Sequence, residues 1–88
     1  GDGNVGVLLT TGLEPLPPQK AYQVWLRKGD LALVAGLFTV DDNGWGSKVF
    51  HLLVPVSQLT GIEVTVEEAR GSVKPTSSPV LSVELNPE

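Results

Sequence analysis

AYQVWLRKGDLALVAGLFTVDDNGWG, residues 21–46, is the stretch whose reading decides the fold. From Ala21 to Arg27 it alternates, with Tyr22, Val24 and Leu26 in one set and Gln23, Trp25 and Arg27 in the other. Successive side chains of a strand point to opposite faces, so this segment reads as a strand whose Tyr22–Val24–Leu26 face belongs in a core. Lys28-Gly29-Asp30 follows, and Gly29 is free to take positive φ in a tight turn. Leu31 to Val40 (LALVAGLFTV) then returns antiparallel. Gly36 interrupts this second strand, and a glycine inside a strand marks a bulge or a close backbone approach. A bulge there resets which of Leu37 and Phe38 faces inward. Asp41-Asp42-Asn43-Gly44 is a second turn, with Asn43-Gly44 a favoured hairpin pair.

Working outward, Val5 to Thr11 (VGVLLTT) is apolar on both alternating sets and is expected to be an interior strand. Gly12 to Gln19 cannot continue it. Pro15, Pro17 and Pro18 have no N–H to give, so the segment is a rigid extended crossover, or else a proline-rich ligand for a partner module. Downstream, Trp45 to Val54 is the next strand. It places Lys48, Phe50, Leu52 and Val54 on one face and Val49, His51 and Leu53 on the other. Pro55 to Gly61 is a connection with room for one helical turn. Ile62 to Glu68 alternates cleanly, predicting Ile62, Val64 and Val66 inward and Glu63, Thr65 and Glu67 outward. Ala69 to Pro79 (ARGSVKPTSSP) reads as a long polar loop, and Val80 to Asn86 as the last strand, with Leu81, Val83 and Leu85 inward. The expected fold is all-β: a small antiparallel β-sandwich or partly open barrel of about six strands.

The chain has 88 residues, ten of them glycine and seven proline, which suits one small turn-rich β domain over residues 1–88. Hydrophobic residues make up 41%, enough for a core. There is no cysteine, so a disulfide framework, a thiolate metal site and a cysteine nucleophile are excluded. Net charge is −4, with only six Lys and Arg, so the basic footprint of a nucleic-acid binder is missing and an anionic membrane surface does not attract the chain. No apolar run approaches transmembrane length, and the lack of Met at position 1 suggests a processed chain or an excised fragment.

No residue set builds a catalytic or cofactor site, so no cofactor and no enzymatic activity are expected. His51 is the sole histidine, with no partner of the right type near it in sequence, and reads as an edge or half-buried strand residue. Asp41, Asp42 and Asn43 are a turn rather than a calcium loop, because the glycine falls too early and the distant glutamate is missing. Glu67 and Glu68 are adjacent on a strand, face opposite ways and cannot act together on one substrate. Trp25 and Trp45 are the candidate partner surface. An exposed tryptophan stacks on a sugar ring or fills a partner's pocket. The plainer alternative is that both cover the ends or outer face of a thin sandwich.

The order of these pieces resembles the extracytoplasmic domain of the anti-sigma-K factor family. The matching segments are Gly12-Leu13-Glu14-Pro15-Leu16-Pro17, Lys20 to Leu26, Ala35-Gly36-Leu37-Phe38-Thr39 and the Asp42-Asn43-Gly44 turn. Val64-Thr65-Val66-Glu67 and the Gly71-Ser72 to Pro75-Thr76 loop leading into Val80-Leu81 complete the series. Glu68-Ala69-Arg70 departs from the family pattern. The resemblance implies a single-pass membrane protein whose cytoplasmic segment, absent here, binds an extracytoplasmic-function sigma factor. It further implies a site-1-type protease or periplasmic partner acting on the outer domain, and strand-forming sequence upstream of Val5. On that reading the chain is a regulatory module on the outer face of a bacterial membrane. The competing reading is a β-sandwich that binds carbohydrate or protein through Trp25 or Trp45.

Overall fold

A computed structural model of the chain describes residues 5–52 and 54–85. These form β1 (Val5–Thr10), β2 (Lys20–Lys28), β3 (Leu31–Phe38), β4 (Gly46–His51), β5 (Gly61–Glu68) and β6 (Leu81–Glu84), with one 3-10 turn at Val56–Gln58 between β4 and β5. The chain is all-β, as its patterning requires. The strands lie in two antiparallel sheets, β1–β4 and β3–β2–β5–β6, with no closed barrel among the described residues.

The hairpin that organises the sequence is at the heart of the larger sheet. β2 pairs with β3 from Lys28↔Leu31 to Tyr22↔Phe38, closing on a two-residue loop in which Gly29 has φ +60°. The register slips once: Val24 faces Gly36 while Trp25 faces Val34, leaving Ala35 as the extra residue of a bulge. The slip turns Leu33 and Ala35 towards the core and Val34 outward, and it settles the Leu37/Phe38 choice in favour of Phe38, which is buried. Phe38 stacks on Tyr22 with ring centroids 5.5 Å apart. The other edge of β2 pairs with β5 over eight residues, from Lys20↔Glu68 to Arg27↔Gly61.

The core sits between the sheets. Tyr22, Val24, Leu26, Phe38 and Val64 from the larger sheet meet Phe50 of β4, and Leu59 closes one end. Burying each such side chain is worth roughly 1.5–3 kcal/mol. The proline-bearing segment between β1 and β2 is a crossover that packs Leu13 and Leu16 against this core. It is fastened by the Tyr22 hydroxyl, which donates to the Glu14 carbonyl at 2.6 Å.

Several expectations need correction. β1 is not an interior strand: Val5, Val7 and Leu9 are exposed, and among the described residues β1 pairs only with β4. The fourth and sixth strands are shorter than their apolar runs, ending at His51 and Glu84, because Leu52, Val54 and Leu85 pack against the core as loop residues. Leu53 and Asn86 fall outside the described residues. Finally, Thr65 and Glu67 do not face water; both are almost fully buried, together with Gln23 and Trp25. The central strands β2 and β5 are covered on both faces, whereas Val34 of β3 and Val83 of β6, the latter expected inward, are about half exposed; the second face carries the more informative chemistry.

Candidate functional site

That second face is built on β2 and β5, where Gln23 pairs with Thr65 and Trp25 with Glu63 in register. Alternation puts Gln23, Trp25, Thr65 and Glu67 on one side of the sheet. The segment after β5 folds back over them. Glu67 is its anchor. One carboxylate oxygen, Oε1, accepts from the Ser72 hydroxyl at 2.7 Å and from the Thr76 hydroxyl at 2.5 Å. The other, Oε2, accepts from the Thr65 hydroxyl at 2.6 Å and from the Thr76 backbone N–H at 3.0 Å. Trp25 extends the chain of bonds, its Nε1–H donating to Thr65 Oγ1 at 2.8 Å. Gln23 treats Ser72 as a strand neighbour would, donating to its carbonyl at 2.9 Å and accepting from its N–H at 2.8 Å.

The electrostatics follow from this geometry. Burial alone pushes the Glu67 carboxyl up, but the hydroxyls of Thr65, Thr76 and Ser72 and the Thr76 N–H all favour the charged form and outweigh it, bringing the pKa down to about 2. Glu67 is therefore a fixed anion whose acceptor positions are filled. It tethers a loop and has no lone pair aimed at a substrate. Its neighbour Glu68 faces outward and pairs with Lys20 at 2.7 Å, so the two carboxylates do separate jobs, as their opposite faces predict.

The covering loop leaves a cleft of about 500 Å³ between itself and β3, lined mainly by Val34, Leu37 and Val73 with Gln23 at its floor and Arg70 beside it. A second, smaller hollow of about 300 Å³ lies on the β1–β4 sheet beside Leu9, Trp45 and Ser47.

The two tryptophans are not brought together. Trp25 has no exposed surface and is removed from the candidate partner surface; the polar layer above it needs its N–H as a donor and its ring as a wall. Trp45 is 60% exposed and remains available. It follows the turn at Asp41–Gly44, whose shape is dictated by Asp41: Oδ1 accepts from the N–H groups of Asn43 and Trp45, each at 2.9 Å. The Asp41 carbonyl accepts from Gly44 N–H, and Gly44 sits at φ +83°, where only a glycine is unstrained. The Asp-Asp-Asn run is thus a turn, with Asp41 as its internal acceptor. His51 lies exposed at the end of β4.

Sequence reasoning missed Gln23, Thr65, Glu67, Ser72 and Thr76 as a unit. The usable signal was a tryptophan alternating with polar residues on β2, together with a Ser/Thr/Pro-rich loop that begins five residues after Glu67.

Among the described residues, no helix is long and apolar enough to cross a membrane, and no three His, Asp or Glu side chains gather as a metal site would need. Against known proteins, the chain is 39% identical over 77 residues to a protein of Streptomyces griseus described as an uncharacterized protein in the phr 5' region. The match covers 88% of this chain and 31% of that relative, so the chain spans about a third of the relative's length. No solved structure matches it. The family model described as anti-sigma-K factor rskA, C-terminal, matches residues 1–80, a span that takes in β1 to β5 and the whole covering loop; the chain belongs to that family.

Proposed function

We propose that this chain is the extracytoplasmic regulatory domain of a membrane-anchored anti-sigma factor, controlling an extracytoplasmic-function sigma factor through regulated proteolysis. The observation that carries the reading is the family match across residues 1–80. The chemistry of the site supports a non-enzymatic role, since its one deeply buried acid is saturated by four structural hydrogen bonds. The sigma factor binds a cytoplasmic segment outside these 88 residues, and a site-1-type protease or a periplasmic partner acts on the outer side.

In this scheme the domain works through its stability. Without a disulfide, resistance to local opening rests on the thin core around Val24, Leu26, Phe50 and Val64 and on the Glu67 tether. Val64→Ala removes two methyl groups from a side chain that is 1% exposed and costs about 1–3 kcal/mol. If folding hides the cleavage site, that loss raises the open population and releases sigma activity without a signal. The test is a sigma-dependent reporter in cells carrying the full-length protein with and without Val64→Ala, with protein levels checked by blot. Raised reporter activity is expected. Unchanged activity, despite a confirmed fall in the melting temperature of the domain, rules out gating by stability.

The exposure of Trp45 favours a second reading, a β-sandwich module that binds carbohydrate or protein. The hollow beside it is formed by Leu9, Gly46 and Ser47, and an exposed indole next to such a hollow suits a protein or a carbohydrate partner. A regulatory domain that docks a periplasmic partner through Trp45 satisfies both readings.

A further inference from the structure

Residues 71–79, the loop laid across the second face of the larger sheet, cover more than they bury. Beneath them Gln23, Trp25, Thr65 and Glu67 are no more than 1% exposed. None of the loop's own side chains is buried to that degree. Val73 is 90% exposed, Lys74, Thr76, Ser77, Ser78 and Pro79 are exposed, and Gly71, Ser72 and Pro75 are half-buried. No residue of this stretch belongs to the hydrophobic core or packs against it. On its β3 side the cleft of about 500 Å³ holds the loop off Val34 and Leu37. What fastens it is a set of hydrogen bonds converging on two residues of the sheet. Ser72 gives its hydroxyl to Glu67 and exchanges two bonds with Gln23. Thr76 gives both its hydroxyl and its N–H to Glu67. The Ser77 hydroxyl adds one bond to the Val66 carbonyl at 2.8 Å.

We propose that residues 71–79 are a lid that opens as one unit while both sheets stay folded, baring Gln23, Trp25, Thr65 and Glu67. Segments held by solvent-exposed hydrogen bonds, with little apolar surface of their own buried, lie at the low-stability end of a structure. Each such bond contributes modestly once water competes for it, whereas the strands beneath are tied to the core on their other face. Opening is cooperative because the bonds share members. Freeing Ser72 breaks three of them at once, freeing Thr76 breaks two, and both residues hang on the same carboxylate. The ends of the lid are set by backbone bonds, from Gly71 N–H to the Glu68 carbonyl at 2.8 Å and from Val80 N–H to the Val64 carbonyl at 2.7 Å. Gly71, at φ +89°, is a natural hinge, since glycine crosses between backbone regions without a Cβ penalty. Closed, the face offers solvent nothing. Open, it presents an indole, an amide, a hydroxyl and a carboxylate side by side on intact strands. The proposal concerns how this chain opens and does not depend on the regulatory function above.

Amide hydrogen exchange of the 88-residue chain, read residue by residue by NMR at a series of low urea concentrations, tests it. The N–H groups of Ser72 and Thr76 report on the lid, because they bond to the side chains of Gln23 and Glu67. They should be protected to the same degree, about 30-fold or more below the amides of β2 and β5, and respond weakly to urea where those respond steeply. Thr76→Val keeps the N–H and the shape and removes one hydroxyl from Glu67, so exchange at Ser72 should quicken about tenfold. Ser78→Ala, on the same exposed stretch, should change nothing. Phe50→Leu, in the core contributed by the other sheet, should quicken exchange in β2 and β5 and leave Ser72 and Thr76 as they were. Lid amides that share the urea response of β2 and β5 would show that the loop leaves only when the whole fold does, and overturn the proposal. So would an absence of protection at Ser72 and Thr76, unequal protection between them, exchange at Ser72 unmoved by Thr76→Val, or lid exchange that Ser78→Ala or Phe50→Leu quickens as much.

Discussion

Replacing Glu67 by glutamine tests the tether at its centre. The side chain keeps its length and shape and loses its charge. The Thr76 N–H cannot turn round, so the glutamine carbonyl must take the Oε2 position, where it still accepts from Thr76 N–H and the Thr65 hydroxyl. The amide NH₂ then faces the hydroxyls of Ser72 and Thr76, which rotate to accept from it. Every polar group can find a partner, so what disappears is mainly charge assistance on four hydrogen bonds. Linkage sets the magnitude. A carboxyl with a usual value near 4.5 and a folded value of about 2 gains stability on the order of 3 kcal/mol in its ionised form. The sign follows from proton counting. Between pH 4.5 and 2 the unfolded chain holds the extra proton, so this contribution is complete above about pH 4.5 and is lost as pH falls towards 2. Glu67→Gln, which resembles the protonated acid, should therefore be less stable than the native chain by about 2–3 kcal/mol at pH 7. That is a fall of about 10–20 °C in melting temperature for a domain of this size. Urea unfolding at a series of pH values, followed by circular dichroism, should show the gap between the two proteins narrowing steadily below pH 4.5. Glu68 is lowered by its bond to Lys20 and raised by the Glu67 charge, so the comparison is made in a Glu68→Gln background, where its titration drops out. A gap that stays constant from pH 7 to pH 2 would refute the assignment of Glu67 as an anion held by the fold.

Three further outcomes are expected. Gly44→Ala should destabilise the chain by about 2 kcal/mol or more in thermal unfolding, since an added Cβ at φ +83° would stand 2.8 Å from both Gly12 N and Leu13 O. Trp25→Phe should cost about 2–3 kcal/mol by emptying buried volume and taking a donor from Thr65, whereas Trp45→Phe should change stability by under about 0.5 kcal/mol at low protein concentration; urea melts of the pair read the contrast directly. The 88-residue chain alone should not capture the cognate sigma factor in a pull-down, because the inhibitory segment is assigned outside it, and capture by these residues would show that assignment to be wrong.

The hairpin of residues 21–46 was legible because backbone rules specify it. The alternation of Tyr22, Val24 and Leu26, a glycine at the turn and a second glycine at the bulge each have one main structural reading, and the register contains all of them. Strand ends were less legible. Leu52 and Val54 continue an apolar alternation after β4 stops, since a loop residue can fill a core as well as a strand residue can. The tryptophans could not be sorted from composition or period, because exposure depends on which other segment returns to cover a face.

Face assignment on β5 shows the limit most clearly. A period-two pattern separates two sets of side chains, but it does not say that the polar set meets water. Thr65 and Glu67 look like a solvated face because hydroxyl and carboxylate groups usually are one. Here Thr65 accepts from Trp25 and donates to Glu67, and the remaining partners of Glu67, Ser72 and Thr76, come from five and nine positions downstream, where Ser77 also donates to the Val66 carbonyl at 2.8 Å. The loop can cover the sheet only if each buried acceptor is met, and among the described residues no buried side-chain polar atom is left without a partner. On β1 the inference fails in the opposite sense. Val5, Val7 and Leu9 resemble a strand with both faces buried, yet nothing within the described residues covers them. A polar face that is buried and an apolar face that is bare are the same kind of departure. Each marks a place where a strand's own period does not decide exposure; on β5 the deciding partner is the loop after Glu67.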